Sequence, residues 1–416
     1  MLCARWLGLV LLLAAAPGAQ ADDARAPDAV PDVVEAVAPA VAAISAEPAA
    51  SSAQGVRHLG SGVVVDRGGY LLTNAHVVAG AARVVVTLPN RPPLEARVLA
   101  TAPDHDLALL RIPANPSTPL VAVRLASAED VRVGASCLAL GHPLGLGSTV
   151  TRGIVSASGR RLVHDGRTMA GDFLQTDAAI HPGSSGGPLV DLQGELIGIT
   201  TAVEATGQGI GFAIPIGRVR RVLAALASPL ALQERWLGLE LDDAPRGGGA
   251  RVVAVDAGGP GEGAGLRAGD VITSAGADVV RGAFELHVRY LDQPDDAPAL
   301  RLAVTGPDGV RRGARLAAGP PPWTAGLRER LGLMTRRPAQ GAGLAVVLVD
   351  AEGPAQTIGL RPGDVIVRVG PARGPAAEVE DARVLWSTVR ALPSRAPLGV
   401  TVRRAGREYW GELLLR

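Results

Sequence analysis

A mainly β fold is predicted by two observations: closely spaced short runs of strand-forming residues in the first half of the chain, and a segment in the second half that repeats itself. Between Val37 and Ile216, runs such as Gly62–Val65, Tyr70–Thr73, Val84–Leu88, Val121–Leu125 and Leu196–Thr200 are rich in Val, Ile, Leu and Thr. Gly, Pro, Asn and Asp separate them, and many short strands so spaced argue for an antiparallel barrel or sandwich. In the second half, residues 237–272 fall without a gap on 331–366 at a shift of 94. Leu237-Gly238-Leu239 lies on Leu331-Gly332-Leu333, and Gly265-Leu266-Arg267-Ala268-Gly269-Asp270 lies on Gly359-Leu360-Arg361-Pro362-Gly363-Asp364. Two copies of one domain of about 90 residues therefore follow one another.

Taken in order, Met1–Ala21 has a single Arg5, an apolar run from Trp6 to Ala16, a Pro17-Gly18 breaker and a small-x-small ending. That pattern predicts an export signal cleaved after Ala21, since the run falls short of the ~20 residues needed to span a membrane. Residues 22–36, mostly Ala, Asp and Pro, are expected to form a flexible arm. A first domain is assigned to 37–228; Val219, Val222, Leu223 and Leu226 give its end, Ile216–Ala227, a helical period before Pro229. The two copies are assigned to 232–319 and 324–416, joined by a short stiff linker at Gly319–Pro322.

Composition removes whole classes of function. Net charge is +1, so no polyelectrolyte surface is available for nucleic acid or an anionic bilayer. The chain has no lysine, which excludes Schiff-base chemistry, Ser–Lys dyads and Walker-type phosphate loops. Eleven aromatic residues in 416 are too few for base-stacking platforms. Loss of Cys3 with the signal leaves Cys137, which sits in the apolar run Ser136–Leu140 without a basic neighbour and is read as an inert core thiol. His58, His142, His164, His181 and His287 lack metal-ligand spacing, so no metal or other cofactor is expected.

The chemistry points to Gly183-Ser184-Ser185-Gly186-Gly187-Pro188. Glycines around a serine let the backbone turn tightly, so that the amides of Gly183 and Ser185 can converge on one oxyanion. A serine hydroxyl needs a base with a pKa near 7, and that imidazole needs a carboxylate to fix its tautomer. His76 follows the strand Tyr70–Thr73, and Asp106 precedes the apolar run Leu107–Leu110. His105 is a rival base and Ser184 a rival nucleophile. The Gly-x-Ser-Gly-Gly frame favours Ser185, and residues adjacent along a strand would turn His105 away from the side used by Asp106.

Gly60-Ser61-Gly62-Val63-Val64, Leu72-Thr73-Asn74-Ala75-His76-Val77-Val78, Gly153-Ile154-Val155-Ser156, Gln175-Thr176-Asp177-Ala178-Ala179-Ile180 and Gly209-Ile210-Gly211-Phe212-Ala213-Ile214-Pro215 resemble motifs of the HtrA/DegP family of serine endopeptidases. The repeat resembles that family's tandem PDZ domains. The resemblance implies a chymotrypsin-like pair of six-stranded β-barrels followed by two PDZ domains, each a small β-barrel or sandwich with two helices. It implies His76 as general base, Asp106 as its orienting partner and Ser185 as nucleophile, with the Gly183 and Ser185 amides as oxyanion hole. Ser184 and His142 stand where the family usually has Asn. No acid occupies Ala179, the place that selects basic side chains in trypsin-like enzymes, and Ile180 is expected to line a shallow apolar pocket; cleavage after small or aliphatic residues follows.

Leu237-Gly238-Leu239 and Leu331-Gly332-Leu333 resemble carboxylate-binding loops, with the groove helices expected at Phe284–Leu291 and Val384–Leu392. The expected protein is a secreted or periplasmic, ATP-independent endopeptidase of unfolded or damaged polypeptides, with peptide C-termini as PDZ ligands. The resemblance also implies a homotrimer, or a larger assembly. Two other readings stay open: a regulatory protease switched on by a PDZ ligand, and a non-catalytic peptide-binding or chaperone protein.

Overall fold

The computed structural model describes residues 29–48, 58–115, 117–128, 131–142, 149–164, 167–168, 172–201, 209–294, 296–336, 338 and 342–416. The signal segment expected at 1–21 and the first part of the expected arm lie outside them. The rest of that arm is not flexible: Val30–Val37 forms helix α1. Val30, Val33, Val34 and Val37 recur at three and four, a period concealed by the surrounding Ala, Asp and Pro. Pro31 occupies the first turn, where a missing N–H is tolerated, and Val33 and Val37 pack toward Gly194.

Six strands close the first barrel: β1 (Val41–Pro48), β2 (His58–Asp66), β3 (Tyr70–Thr73), β4 (Ala81–Thr87), β5 (Leu94–Ala102) and β6 (Leu107–Arg111). Their order is β1-β2-β3-β6-β5-β4, with β1 pairing β4. β3 is buried at every position, as are Leu107–Leu110 of β6, so both read as continuous apolar runs instead of alternating ones. Bulges at Val64/Asp66 and Val98/Ala100 bend the strands toward closure.

The second sheet contains β7 (Arg124–Leu125), β8 (Ser136–Gly141), β9 (Thr149–Arg160), β12 (Phe173–Thr176), β13 (Pro188–Val190), β14 (Glu195–Thr201) and β15 (Gly211–Pro215); β10 (Val163–His164) and β11 (Arg167–Thr168) form a separate hairpin. The ring β13-β8-β9-β12-β15-β14 closes through β13–β14 pairing, and β7 adds outside it, parallel to β14. Of the run expected as a strand at Val121–Leu125, only the last two residues pair. The short helix α2 (Ala75–Val78) follows β3, and α3 (Ile216–Leu226) packs on β5, β6 and β14. Helix α3 ends ahead of Pro229, as the sequence suggested, and Pro229 begins a new helix, α4 (Pro229–Gln233), capped by Ser228.

The first repeat orders its strands β16 (Leu239–Asp243), β17 (Ala250–Val255), β18 (Val271–Ala275), β20 (Leu300–Thr305) and β21 (Arg311–Leu316). β19 (Asp278–Val279) pairs β18; helices α5 (Pro260–Gly263) and α6 (Ala283–Leu291) complete it. The second repeat uses β22 (Leu333–Arg336), β23 (Leu344–Val349), β24 (Val365–Pro371), β26 (Pro397–Arg404) and β27 (Arg407–Leu414), with β25 (Ala377–Glu378) on β24. Its helices are α8 (Pro354–Thr357) and α9 (Ala382–Ala391). Register carries the repeat: Leu239 pairs Val255 and Leu333 pairs Val349, and the bulge at Glu240/Leu241 recurs at Met334/Thr335.

Buried Asp270 and Asp364 cap the same turn, accepting from the Arg267 and Arg361 amides at 2.8 and 2.9 Å. Arg312 of β21 answers the first carboxylate and Arg404 of β26 the second, so one constellation is completed from different strands. The expected linker is short and anchored: Gly319 bridges Trp236 in both directions, and α7 (Pro322–Leu331), which the sequence did not signal, starts at once.

The first repeat is docked on the barrels through α6. Phe284, Val288 and Leu291 are buried with barrel residues, and Phe284 meets Tyr70 edge-on at 6.4 Å. Tyr70 donates to Asp292 (2.9 Å), which also takes Arg111 (2.8 Å), while Arg289 pairs with Asp66. Burial pushes the Tyr70 hydroxyl far above its usual pKa, so it stays a donor at neutral pH.

Candidate active site

His76 is the second residue of α2, delivered by β3 to the rim of the first barrel. Asp106 reaches it from the other side. The turn Pro103–His105 ends with Asp106 in the left-handed region (φ +52°), a conformation that Asp tolerates better than most residues. Its backbone is held by Asn74, whose side-chain amide donates to the Asp106 carbonyl at 2.9 Å. The carboxylate lies 2.9 Å from His76 Nδ1 through both oxygens and also accepts the His76 amide at 3.1 Å and the Thr201 hydroxyl at 3.2 Å. A proton on Nδ1 satisfies this arrangement and leaves Nε2 as the basic nitrogen; the His76 side chain is 49% exposed against 11% for Asp106.

Ser185 comes from the second barrel and is buried where the two barrels meet. Its carbonyl accepts the Ser61 amide of β2 at 2.8 Å, and Gly186 follows at φ +85°. A Cβ on Gly186 would lie 2.2 Å from Ser61 O, 2.3 Å from Thr73 Oγ1 and 3.1 Å from the Asn74 nitrogen. The serine loop thus abuts the end of β3 and the turn that launches His76. Strand β14 ties the two halves: Thr200 bonds the serine loop and its neighbour Thr201 bonds Asp106.

Ser184 packs its side chain against Gly141 of β8, and His105 is exposed at the end of the turn before Asp106; a reversed backbone separates them, not strand alternation. Ile180 is half-buried against Gly211, beside the cluster containing Cys137. The nearby Asp177 carboxylate accepts the Ile154 amide at 2.6 Å. Burial lowers the His142 pKa, keeping that ring neutral, and its amide donates to Ser61 Oγ at 2.9 Å. Cys137 is fully buried 3.3 Å from Thr176 Oγ1, and burial raises its thiol pKa. Among the described residues no group of His, Cys, Asp and Glu could hold a metal ion. Sequence reading passed over Asn74, Thr200 and Thr201; their place beside the singled-out motifs was the available signal.

In the repeats, Gly238 (φ +65°) and Gly332 (φ +68°) each sit in the left-handed region, with their carbonyls accepting the Asp256 and Asp350 amides. Leu239 and Leu333 start the edge strands β16 and β22. A cavity of about 600 Å³ opens beside β16, walled by Leu237, Leu239, Leu241, His287, Trp236 and Trp323. The His287 ring bonds the Ala224 carbonyl of α3 at 2.8 Å, so the expected groove helix is also the docking helix.

Two closed six-stranded barrels, with a His–Asp pair on one and a glycine-framed serine on the other, define a trypsin-like serine peptidase. Residues 60–199 match the model of the trypsin-like peptidase domain. The chain is 32% identical over 383 residues to the DegP-like periplasmic serine endoprotease of Pseudomonas fulva, covering 84% of this chain and 77% of that one. It is 34% identical over 380 residues to the corresponding protein of Ectopseudomonas mendocina, covering 84% and 78%. The solved serine endoprotease from Yersinia pestis is 30% identical, covering 70% of this chain and 98% of its own, with a TM-score of 0.42. The chain belongs to the family of DegP-like serine endoproteases and is a serine-type endopeptidase.

Proposed function

We propose that Ser185 is the nucleophile, His76 the general base and Asp106 its orienting carboxylate, acting on exported, unfolded polypeptides in the periplasm without ATP. The observation that carries this reading is the Asp106 carboxylate, which grips both Nδ1 and the backbone amide of His76 beside the loop of Ser185. Ser185 Oγ attacks the peptide carbonyl and its proton passes to His76 Nε2. The oxyanion is met by the amides of Gly183 and Ser185. The proton then goes to the leaving amine, and water activated by the same nitrogen releases the acyl group. Asp106 stabilises the imidazolium without itself taking the proton.

Apolar surroundings at Ile180 and the absence of an acid at Ala179 favour cleavage after Val, Ala or Ile over Arg. The loops at Leu237–Leu239 and Leu331–Leu333, each heading an edge strand, suit PDZ-type capture of peptide C-termini by strand addition, and a homotrimer is the assembly we favour. Fluorophosphonate labelling that is lost in Ser185→Ala and Ser185-dependent hydrolysis of unfolded casein are the expected results. Labelling retained in Ser185→Ala would reject the triad. The regulatory reading draws on the α6 contact with α3, through which occupancy of the groove could reach the barrels. Cutting of a single partner in place of general cutting of casein would favour it.

A further inference from the structure

We infer that two hydroxyls, Ser61 of β2 and Thr200 of β14, are positioning residues for the oxyanion-binding amides: Thr200 aims the Ser185 N–H across the peptide it anchors, and Ser61 fixes the Gly183–Ser184 peptide that lies between the two donors. The inference rests on the assignment of Ser185 as nucleophile and asks what holds its loop in shape. A trans peptide is planar, with N–H and C=O pointing opposite ways, so anchoring a carbonyl aims the amide across the same bond.

The loop is anchored peptide by peptide. His181 O accepts the Ser184 amide at 2.9 Å, closing a four-residue turn with Pro182 second and Gly183 third, at φ +92°. That is the signature of a type II turn; a type I turn would reverse the Pro182–Gly183 peptide and with it the Gly183 N–H. The next peptide has its Gly183 carbonyl held by the Ser61 hydroxyl at 2.7 Å. In the peptide after it, the Ser184 carbonyl takes the Thr200 hydroxyl at 2.6 Å and the Gly187 amide at 2.9 Å, which directs the Ser185 N–H away from β14. The Ser185–Gly186 peptide is held at both ends, its carbonyl by the Ser61 amide and its N–H by the Thr200 carbonyl at 2.9 Å.

Ser61 therefore grips the loop from the first barrel and Thr200 from the second. Both are fully buried, and both are oriented in turn. Ser61 Oγ accepts the His142 amide while its carbonyl takes Thr73 Oγ1 at 2.7 Å; the Thr200 amide donates to the Gly187 carbonyl at 2.9 Å, and Thr200 Oγ1, with its single proton, lies closer to Ser184 O, at 2.6 Å, than to Gly187 O, at 3.1 Å. Hydroxyls whose own residues are held by these further bonds keep the carbonyls they grip in place, which is what preorganised oxyanion binding requires. Neither side chain is assigned any contact with substrate.

The test uses the full chain and compares Ser61→Ala, Thr200→Val and Thr200→Ser with wild type and Ser185→Ala. Hydrolysis of a valyl peptide anilide gives kcat and KM, normalised to sites titrated with a fluorophosphonate. A valyl peptide boronate measures affinity for a tetrahedral adduct. Ser61→Ala and Thr200→Val are expected to lower kcat about 10–100-fold with KM within twofold, and to weaken the boronate at least tenfold. Thr200→Ser, which keeps the hydroxyl, should return kcat to within about threefold of wild type. The inference is overturned if kcat per titrated site is unchanged in Ser61→Ala and Thr200→Val, if KM rises while kcat holds, or if Thr200→Ser is as impaired as Thr200→Val. Activity surviving in Ser185→Ala would instead overturn the assignment of the nucleophile.

Discussion

Replacing Gly186 by Ala tests whether the serine loop is seated as tightly against the first barrel as its contacts indicate. The added methyl would meet Ser61 O at 2.2 Å and Thr73 Oγ1 at 2.3 Å, and ordinary contact begins near 3.4 Å. Because Ser61 O belongs to strand backbone, the loop itself must withdraw by about 1 Å, a displacement that costs on the order of 100-fold in rate when it misplaces a reacting group. Left-handed backbone at a residue with a Cβ adds about 1–2 kcal/mol and overpacking about 1–3 kcal/mol. The sum, about 2–5 kcal/mol, is below the total stability of an ordinary domain, so the variant should still fold. Gly134→Ala is the control: φ is +87° there but nothing lies within 4 Å, so it carries the backbone strain alone. Peptide hydrolysis with parallel thermal melting should show kcat/KM down about 100-fold in Gly186→Ala and near wild type in Gly134→Ala. Wild-type turnover in Gly186→Ala with an unchanged melting curve would refute the close seating of the loop.

Other outcomes follow from burial and charge. Phe284→Ala should remove the edge contact with Tyr70 and destabilise the docked first repeat by about 3–5 kcal/mol; an unaltered unfolding midpoint would show that α6 is not held by this ring. Cys137, buried with its thiol pKa raised, should resist iodoacetamide in the native protein and react in urea, as read by mass spectrometry of its peptide; rapid native labelling would contradict the closed cluster around it. Burial alone would raise the pKa of Asp364, but the two 2.6 Å bonds from Arg404 and the Arg361 amide outweigh it and leave the carboxyl below its ordinary 3.8. With the folded value depressed, the contribution of Asp364 is present above about pH 4 and lost as pH falls through the folded value. Urea midpoints of the second repeat should drop on acidification, and Asp364→Asn should flatten that slope; an equal slope in both would exclude this carboxyl as its source.

Local pattern alone specified the strand-rich first half, because strands buried on both faces, such as Tyr70–Thr73 and Leu107–Leu110, must be written as unbroken apolar runs. It also specified the duplication and pointed to the residues we propose as the triad, at 76, 106 and 185, since a serine that attacks needs a base and the base needs an acid. Helix α1 was missed and read as part of a flexible arm, because the surrounding Ala, Asp and Pro obscured its valine spacing, and α7 gave little sign because its first turn carries Pro, Trp and Thr. Tertiary structure decided the rest. Packing of one barrel on the other brings Ser61 to Gly183 across 122 positions and Thr201 to Asp106 across 95, separations at which no periodicity records a partner. The left-handed turn at Asp106, the seating of Gly186 on the first barrel and the docking of α6 on α3 likewise depend on which surfaces meet after folding. A sequence states which faces must leave water; only the two barrels packed together fix which hydroxyl then stands within reach of which carbonyl.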